Sequence, residues 1–387
     1  MSFNWFKQWE NVLVLSFAAL LLILHLISID LEEKLWFDEK YYVLDANYIV
    51  HGVGQLDYPE HTPLAKLFIA SSIDLFGNEP IGWRIFPILF GVAAIILFYL
   101  ICQKLTANRH IPLIATFIFA FENMSFVMSS VAMLDIFGLT LMLASFLLYL
   151  HNRYIPAGVV LALAALAKVT AAFGGGIILL HWLFIKRAPK RNGLKFLIVA
   201  PLAFLILMPF FDYLATNELL WPWDRIDYIV TTHSSATFAK ITDTREILSR
   251  PWEWVISPKP MTAPSHPTYQ FGMSWTLWAL IVPSMCYMIF KAIKQRWNSL
   301  CLFAFLWFAG TYVIWIPIYF ITDRIMYRFY FYPAVGAVCL ALGYTISALL
   351  TVASRQSSKK AQWAIRIPVI LWMIGHFAVF WVMSPII

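Results

Sequence analysis

The sequence predicts an all-α protein, a polytopic bundle of about eleven transmembrane helices with two long loops on one side of the membrane. Three observations predict it. Hydrophobic residues make up 61% of the chain and charged residues only 13%, against roughly a quarter in soluble domains. Apolar runs long enough for spans of about 20 residues recur from end to end. Basic residues collect in alternate loops.

In order, spans are predicted near 11–29, 84–102, 111–128, 133–150, 154–170, 171–185, 196–212, 273–290, 299–320, 329–350 and 367–384. The first run leads through Asp30 into charged sequence without a small-residue cleavage site, so it reads as a retained span and not a signal peptide. Lys104 and Arg109 lie in one basic loop, and Lys186, Arg187, Lys190, Arg191 and Lys195 in the next. Lys291, Lys294 and Arg296 follow, then Arg355, Lys359, Lys360 and Arg366. All four loops fall on one side, which the positive-inside rule makes cytoplasmic. The N-terminus is then cytoplasmic and the C-terminus external, in a multi-pass protein of the plasma membrane. Residues 1–387 read as a single integral membrane domain.

The net charge of +7 is accounted for by these topogenic loops, so nucleic acid is not an expected partner. Cys102, Cys286, Cys301 and Cys339 lie in or at the ends of spans with no Cys-x-x-Cys spacing, which supports neither a disulfide framework nor a zinc site. The loops on the opposite side are long. External loop 1, about 30–82, carries helical apolar spacing over Asp38–Val50 and Pro63–Phe76, expected to lie along the interface. External loop 2, about 212–272, is rich in Trp, Pro, Ser and Thr and reads as an irregular cap.

Ionisable residues beside spans are costly to place, so their depth is informative. Asp38 and Glu39 follow the first span, Arg84 opens the second, Glu122 lies in the outer turns of the third and Asp135 opens the fourth. Lys168 ends the fifth, and Arg324 and Arg328 precede the tenth. All fall at the outer boundary, whereas a transporter would gather its charges near the midplane. Each has an ordinary explanation too: Asp38 and Glu39 suit a helix start, Arg84 can snorkel, and Asp135 can cap a helix. His25, His181 and His376 fall within spans and read as packing residues, while His61 and His233 in the outer loops are better candidates. No His-Glu-x-x-His, P-loop or Gly-x-Ser-x-Gly pattern occurs. Asp30-Leu31-Glu32 has a metal-type spacing of a kind common by chance; no cofactor is expected and no metal is required, although an acidic pair could hold one.

Six segments together resemble the protein O-mannosyltransferase family, multi-span GT-C-type glycosyltransferases with lipid-phosphate sugar donors. They are WFDEKYYV (36–43), YPEHTPLAKLFIA (58–70), GWRIFPILFG (82–91), FENMSFVMSSVAMLDIF (121–137), ALAKVTAAFGGG (164–175) and RFYFYPAVGAVCLALG (328–343). The Asp-Glu pair after the first span is the most specific of these features. The family's His-Pro-Pro-Leu-Gly-Lys appears as His61-Thr62-Pro63-Leu64-Ala65-Lys66, and its Lys-Trp-Thr as Lys168-Val169-Thr170. External loop 2 is too short for the β-trefoil insertion of the eukaryotic enzymes, so the chain resembles a short prokaryotic member.

The resemblance implies transfer of mannose from a polyprenyl (dolichyl) phosphate to a Ser or Thr hydroxyl of a protein at the outer membrane face. Asp38 matches the family's catalytic Asp and would take the hydroxyl proton, with Glu39 orienting a neighbour or the acceptor. The leaving phosphate needs fixed positive charge, for which Arg84, Lys168, Arg324 and Arg328 are available; His61, Glu122 and Asp135 complete the expected substrate site. One base and one displacement imply inversion at the anomeric carbon. A lipid-linked glycan or glycolipid acceptor is the first alternative, and a lipid-sugar transporter or flippase the second. The absence of an internal repeat and the one-sided charges count against the transporter.

Overall fold

The computed structural model describes residues 8–185, 190–240, 247–263, 265, 267–295 and 298–386. Of the basic residues used for topology, Lys186, Arg187 and Arg296 lie outside the described residues, as do the side chains of Lys190 and Arg191. The protein is mostly helical and multi-pass. Helix α1 spans Trp9–Ser28, and α2 (Glu39–Val50) and α3 (Leu64–Phe76) follow in the first long loop. Glycine ends α3: Gly77 sits at φ +86°, open to a residue without a Cβ. Helix α4 (Pro80–Leu105) starts on a proline, whose missing N–H costs nothing in a first turn.

Helices α5 (His110–Ala120) and α6 (Asn123–Ser130) were expected as one span. They meet at a 55° bend. Glu122 sits at the break and caps α6, its side chain accepting from the Ser125 N–H at 2.9 Å. Helices α7 (Leu134–Leu150), α8 (Tyr154–Ala167), α9 (Phe173–Ile185) and α10 (Lys190–Thr216) complete the first half. The second long loop differs from the irregular cap expected. It holds α11 (Pro222–Ser235), a short α12 (Glu253–Ile256) and a two-stranded antiparallel pair, β1 (Met261–Thr262) and β2 (Gln270–Phe271). The apolar period of α11 is hidden in the sequence because its outer face also carries large apolar residues, Trp223 and Val230. Helices α13 (Trp275–Trp278), α14 (Ile281–Lys294), α15 (Ser299–Phe308), α16 (Trp315–Thr322), α17 (Tyr332–Ser354) and α18 (Lys359–Met383) follow, with a π-helical turn at Ala309–Val313 joining α15 to α16.

Among the described residues, six helices are long and apolar enough to cross a membrane alone, or seven if the bent α5–α6 pair is one crossing. Three further predicted spans, 133–150, 154–170 and 171–185, correspond to shorter apolar helices, including α7 and α8. Helix α17 lies at the centre, packed on α5 and α15, and α4 packs on α7. At Gly343 of α17 an added Cβ would meet the backbone N of Ala115 at 2.9 Å, so only glycine allows α5 to come this close. Helices α10 and α18 bury only 11% and 17% of their apolar windows, which makes them the lipid-facing staves.

Candidate active site

Asp38 and Glu39 stand side by side at the start of α2 but face different surroundings. The chain reaches them through Phe37, which has φ +53°, a costly conformation for a bulky residue. The Phe37 ring is held at 5.2 Å from Tyr327 and 5.4 Å from Phe329, centroid to centroid. Glu39 is fully buried and saturated. It accepts from Arg84 Nε at 3.0 Å, Arg84 Nη2 at 3.2 Å, the Ala132 N–H at 3.0 Å and the Trp36 N–H at 3.1 Å.

Asp38 is free of structural duty by comparison. Its side chain makes no capping bond to α2, and one oxygen lies 3.5 Å from the Tyr42 hydroxyl, one helical turn on. That hydroxyl is also 3.5 Å from His61 Nε2. Burial pushes the Asp38 carboxyl up to about 6, opposed by the positive charge of Lys168 and reinforced by the negative charge of Asp135. Burial, with Lys168 and Lys66 nearby, holds His61 well below its usual value, so its imidazole is neutral. His233 is lowered to about 4, first by burial and then by Arg324 and Lys168.

Lys168 leaves α8 in an extended conformation and pairs with Asp135 of α7 at 3.2 Å. Gly138, one turn beyond Asp135, makes room for it: a Cβ there would meet Lys168 Cβ at 2.8 Å. Lys168 Nζ also stands 6.0 Å from the Tyr42 ring centre, within cation–π range. On the far side, Arg324 follows Asp323, whose φ of +48° ends α16. Its Nη2 donates to His233 Nδ1 at 3.0 Å and lies 3.5 Å from the Tyr330 hydroxyl, while its buried Nε has no hydrogen-bond partner among the described residues. The rings of His61 and His233 are 5.2 Å apart. A cleft lined by Asp135, Lys168, Thr170, Phe173, Trp315 and Tyr330 opens beside the group.

Asp38, His61, Asp135, Lys168 and Arg324 are thus brought together from five separate stretches of chain, and Tyr42, His233 and Tyr330 join them. Tyr42 carried one signal in the sequence, its i+4 spacing from Asp38 on a helix. Three expected site residues are placed otherwise. Arg84 is fully buried, and all five of its N–H groups are taken, by Glu39 and by the carbonyls of Ile29, Glu32 and Lys34. It has no donor left for a phosphate and ties the first loop to α4 instead. Arg328 turns to α12, where Nη1 donates to the carbonyls of Glu253 at 3.0 Å and Ser257 at 2.6 Å. Glu122 accepts from the Ser274 N–H at 2.8 Å as well as capping α6, and so joins the helix break to the start of α13.

Among the described residues no group of three or more His, Cys, Asp and Glu side chains could hold a metal ion. Residues 60–213 match the family model of the dolichyl-phosphate-mannose-protein mannosyltransferases.

The polyprenol-phosphate-mannose–protein mannosyltransferase of Mycolicibacterium smegmatis is 31% identical over 122 residues, 30% of this chain and 24% of the relative. That of Corynebacterium glutamicum is 33% identical over 112 residues, 26% of this chain and 22% of the relative. The matched part of the chain therefore spans about a quarter of these relatives' length. The fold is shared more widely. The Saccharomyces cerevisiae protein O-mannosyltransferase Pmt1–Pmt2 complex bound to the sugar donor superposes with a TM-score of 0.77 at 12% identity, covering 98% of this chain and 90% of that one. ArnT from Cupriavidus metallidurans bound to undecaprenyl phosphate gives 0.65 at 14% identity, covering 96% and 74%. At such identities the likeness establishes a common fold.

Proposed function

We propose that this mannosyltransferase-family chain moves mannose from a polyprenyl phosphate to a Ser or Thr hydroxyl of a protein, with inversion. The observation that carries the reading is Asp38, a carboxylate with no capping duty, set near the Lys168–Asp135 ion pair and a neutral histidine. As the acceptor oxygen bonds to the anomeric carbon, its proton passes to Asp38 and the bond from that carbon to the phosphate oxygen breaks. Its pKa of about 6 leaves Asp38 ionised at neutral pH and basic enough to accept a proton. Tyr42 orients the carboxylate and His61 orients Tyr42. The departing polyprenyl phosphate is a membrane-bound anion. Lys168 and the unpartnered Nε of Arg324 face it with positive charge in a partly dry site.

The same reading makes residues 1–387 one integral membrane domain with about eleven crossings, in which the shorter helices cross within the protein interior. Loops 30–82 and 212–272 are external, the N-terminus is cytoplasmic, the C-terminus is external, and the membrane is the plasma membrane. One experiment tests activity and orientation together. Sealed right-side-out vesicles supplied with polyprenyl-phosphate mannose should mannosylate a membrane-impermeant Ser/Thr peptide added outside, read by mass spectrometry. Mannose found only on a lipid or glycan acceptor would replace the protein acceptor. Modification confined to inverted vesicles would reverse the orientation.

Arg324 provides a separate test of the phosphate assignment. Arg324→Ala should weaken donor binding and lower the rate at saturating donor by roughly two to three orders of magnitude, the scale for losing one transition-state donor. Arg324→Lys should recover part of this, keeping charge but losing the planar fork. Wild-type donor affinity and turnover in the Ala form would remove Arg324 from the mechanism.

A further inference from the structure

A further buried ion pair lies beside the site and takes no part in the chemistry described so far. Arg225, on the inner face of α11, is 4% exposed, and Asp212, one turn before the end of α10, is 1% exposed. Arg225 Nε lies 3.2 Å and 3.3 Å from the two Asp212 oxygens. The rest of its guanidinium reaches across to external loop 1, where Nη1 donates to the Pro59 carbonyl and Nη2 to the His61 carbonyl at 3.2 Å. Lys66 holds the start of the same turn, donating to the Tyr58 carbonyl and pairing with Asp45 at 2.6 Å. Three carbonyls of the four-residue turn 58–61 are therefore held by buried cations. Two turns along α11 from Arg225, beyond the buried Ile229, His233 packs its ring 5.2 Å from that of His61.

We infer that Arg225 is a positioning residue: it fixes the turn 58–61 so that the His61 imidazole meets Tyr42 beside Asp38. Asp212 holds the guanidinium plane for this purpose. The argument rests on geometry. A buried ion pair kept only for stability can often be exchanged for apolar residues of similar volume without loss. Here one cation spends two of its donors on the backbone of a turn from another loop, on either side of Glu60. A planar fork can serve a carboxylate and two divergent carbonyls together, which an ammonium cannot do with the same directionality. Helix α11 then acts as a strut between the loops, with Arg225 on the backbone of the turn near one end and His233 on its side chain near the other.

The kinetic consequence rests on the mannosyl-transfer reading; the positional one does not, and the test separates them. The full-length protein in nanodiscs is compared as wild type, Arg225→Lys and the apolar double variant Asp212→Leu/Arg225→Met, which leaves no unpaired charge. The first readout is carbethoxylation of His61 by diethyl pyrocarbonate, followed by mass spectrometry with the exposed His51 as internal control. The rate at His61 relative to His51 should rise severalfold in the double variant and by less in Arg225→Lys, with thermal midpoints unchanged. The second readout is transfer kinetics: kcat should fall by about tenfold to a hundredfold, the scale of a small misplacement of reacting groups, with donor KM nearly constant. Unchanged His61 reactivity in a folded double variant would overturn the positioning role. Raised reactivity with wild-type kcat would equally overturn it, because His61 would then be displaced without effect. A wild type with no transfer activity would defeat the mannosyltransferase reading, and the modification rates alone would then decide the role of Arg225.

Discussion

Asp38→Asn should lower mannosyl transfer by roughly two to four orders of magnitude, the range for loss of a general base. The amide keeps the size of the side chain and its contact with the Tyr42 hydroxyl, and removes only the proton acceptor. Donor binding should change far less than turnover. The wild-type rate should rise with pH up to about 6, where Asp38 ionises, and level off above it. The variant's residual rate should lack that limb. Stability should move the other way. The folded pKa is raised above the ordinary value of 3.8, so the folded chain holds its proton through the range in which the unfolded chain loses it. The resulting penalty is absent below about 3.8 and complete above about 6. Asp38→Asn should therefore have a higher thermal midpoint than the wild type at pH 7 and the same midpoint near pH 3. Near-normal turnover in a folded Asp38→Asn protein would show that another group takes the proton.

The adjacent pair should behave in the opposite sense. Arg84→Ala should leave little folded protein, because it strands the buried Glu39 carboxylate and three backbone carbonyls without their donor. Breaking a buried pair in this way costs roughly 3–5 kcal/mol, a large share of the stability of most domains. Glu39→Gln should cost less, since the amide oxygen still accepts from Arg84 or the Ala132 N–H, while its NH2 faces a donor. Whatever fraction of Glu39→Gln protein folds should turn over at near the wild-type rate. Size-exclusion profiles and activity per folded molecule read the two effects separately. A well-folded Arg84→Ala protein that loses only donor affinity would return Arg84 to the phosphate site.

These two predictions part company at a place where the sequence offers no distinction. Asp38 and Glu39 are both carboxylates at a helix start beside a membrane span, and a one-residue step around α2 separates their roles. Likewise Arg84, Lys168, Arg324 and Arg328 share one depth in the sequence reading. Only packing shows that Arg84 is enclosed by carbonyls and that Arg328 turns its Nη1 to α12, while Lys168 and Arg324 reach the Asp38 group.

The sequence by itself determined the helical membrane class and the places of α2 and α3 in the first long loop. Hydropathy and helical period are local properties, and the Asp-Glu pair follows the first span directly. Tertiary structure decided what depends on partners distant along the chain. It broke the third span at Glu122, whose carboxylate bonds Ser274, 152 residues away. It brought Tyr42, His61, His233 and Tyr330 around Asp38, and it set Arg225 of α11 against a turn 164 residues earlier. The physical reason is one of direction. A sequence reports how far a residue lies along a helix and how apolar its neighbours are. Whether a buried charge serves the fold or the reaction depends on which donors and acceptors the folded chain leaves unfilled around it.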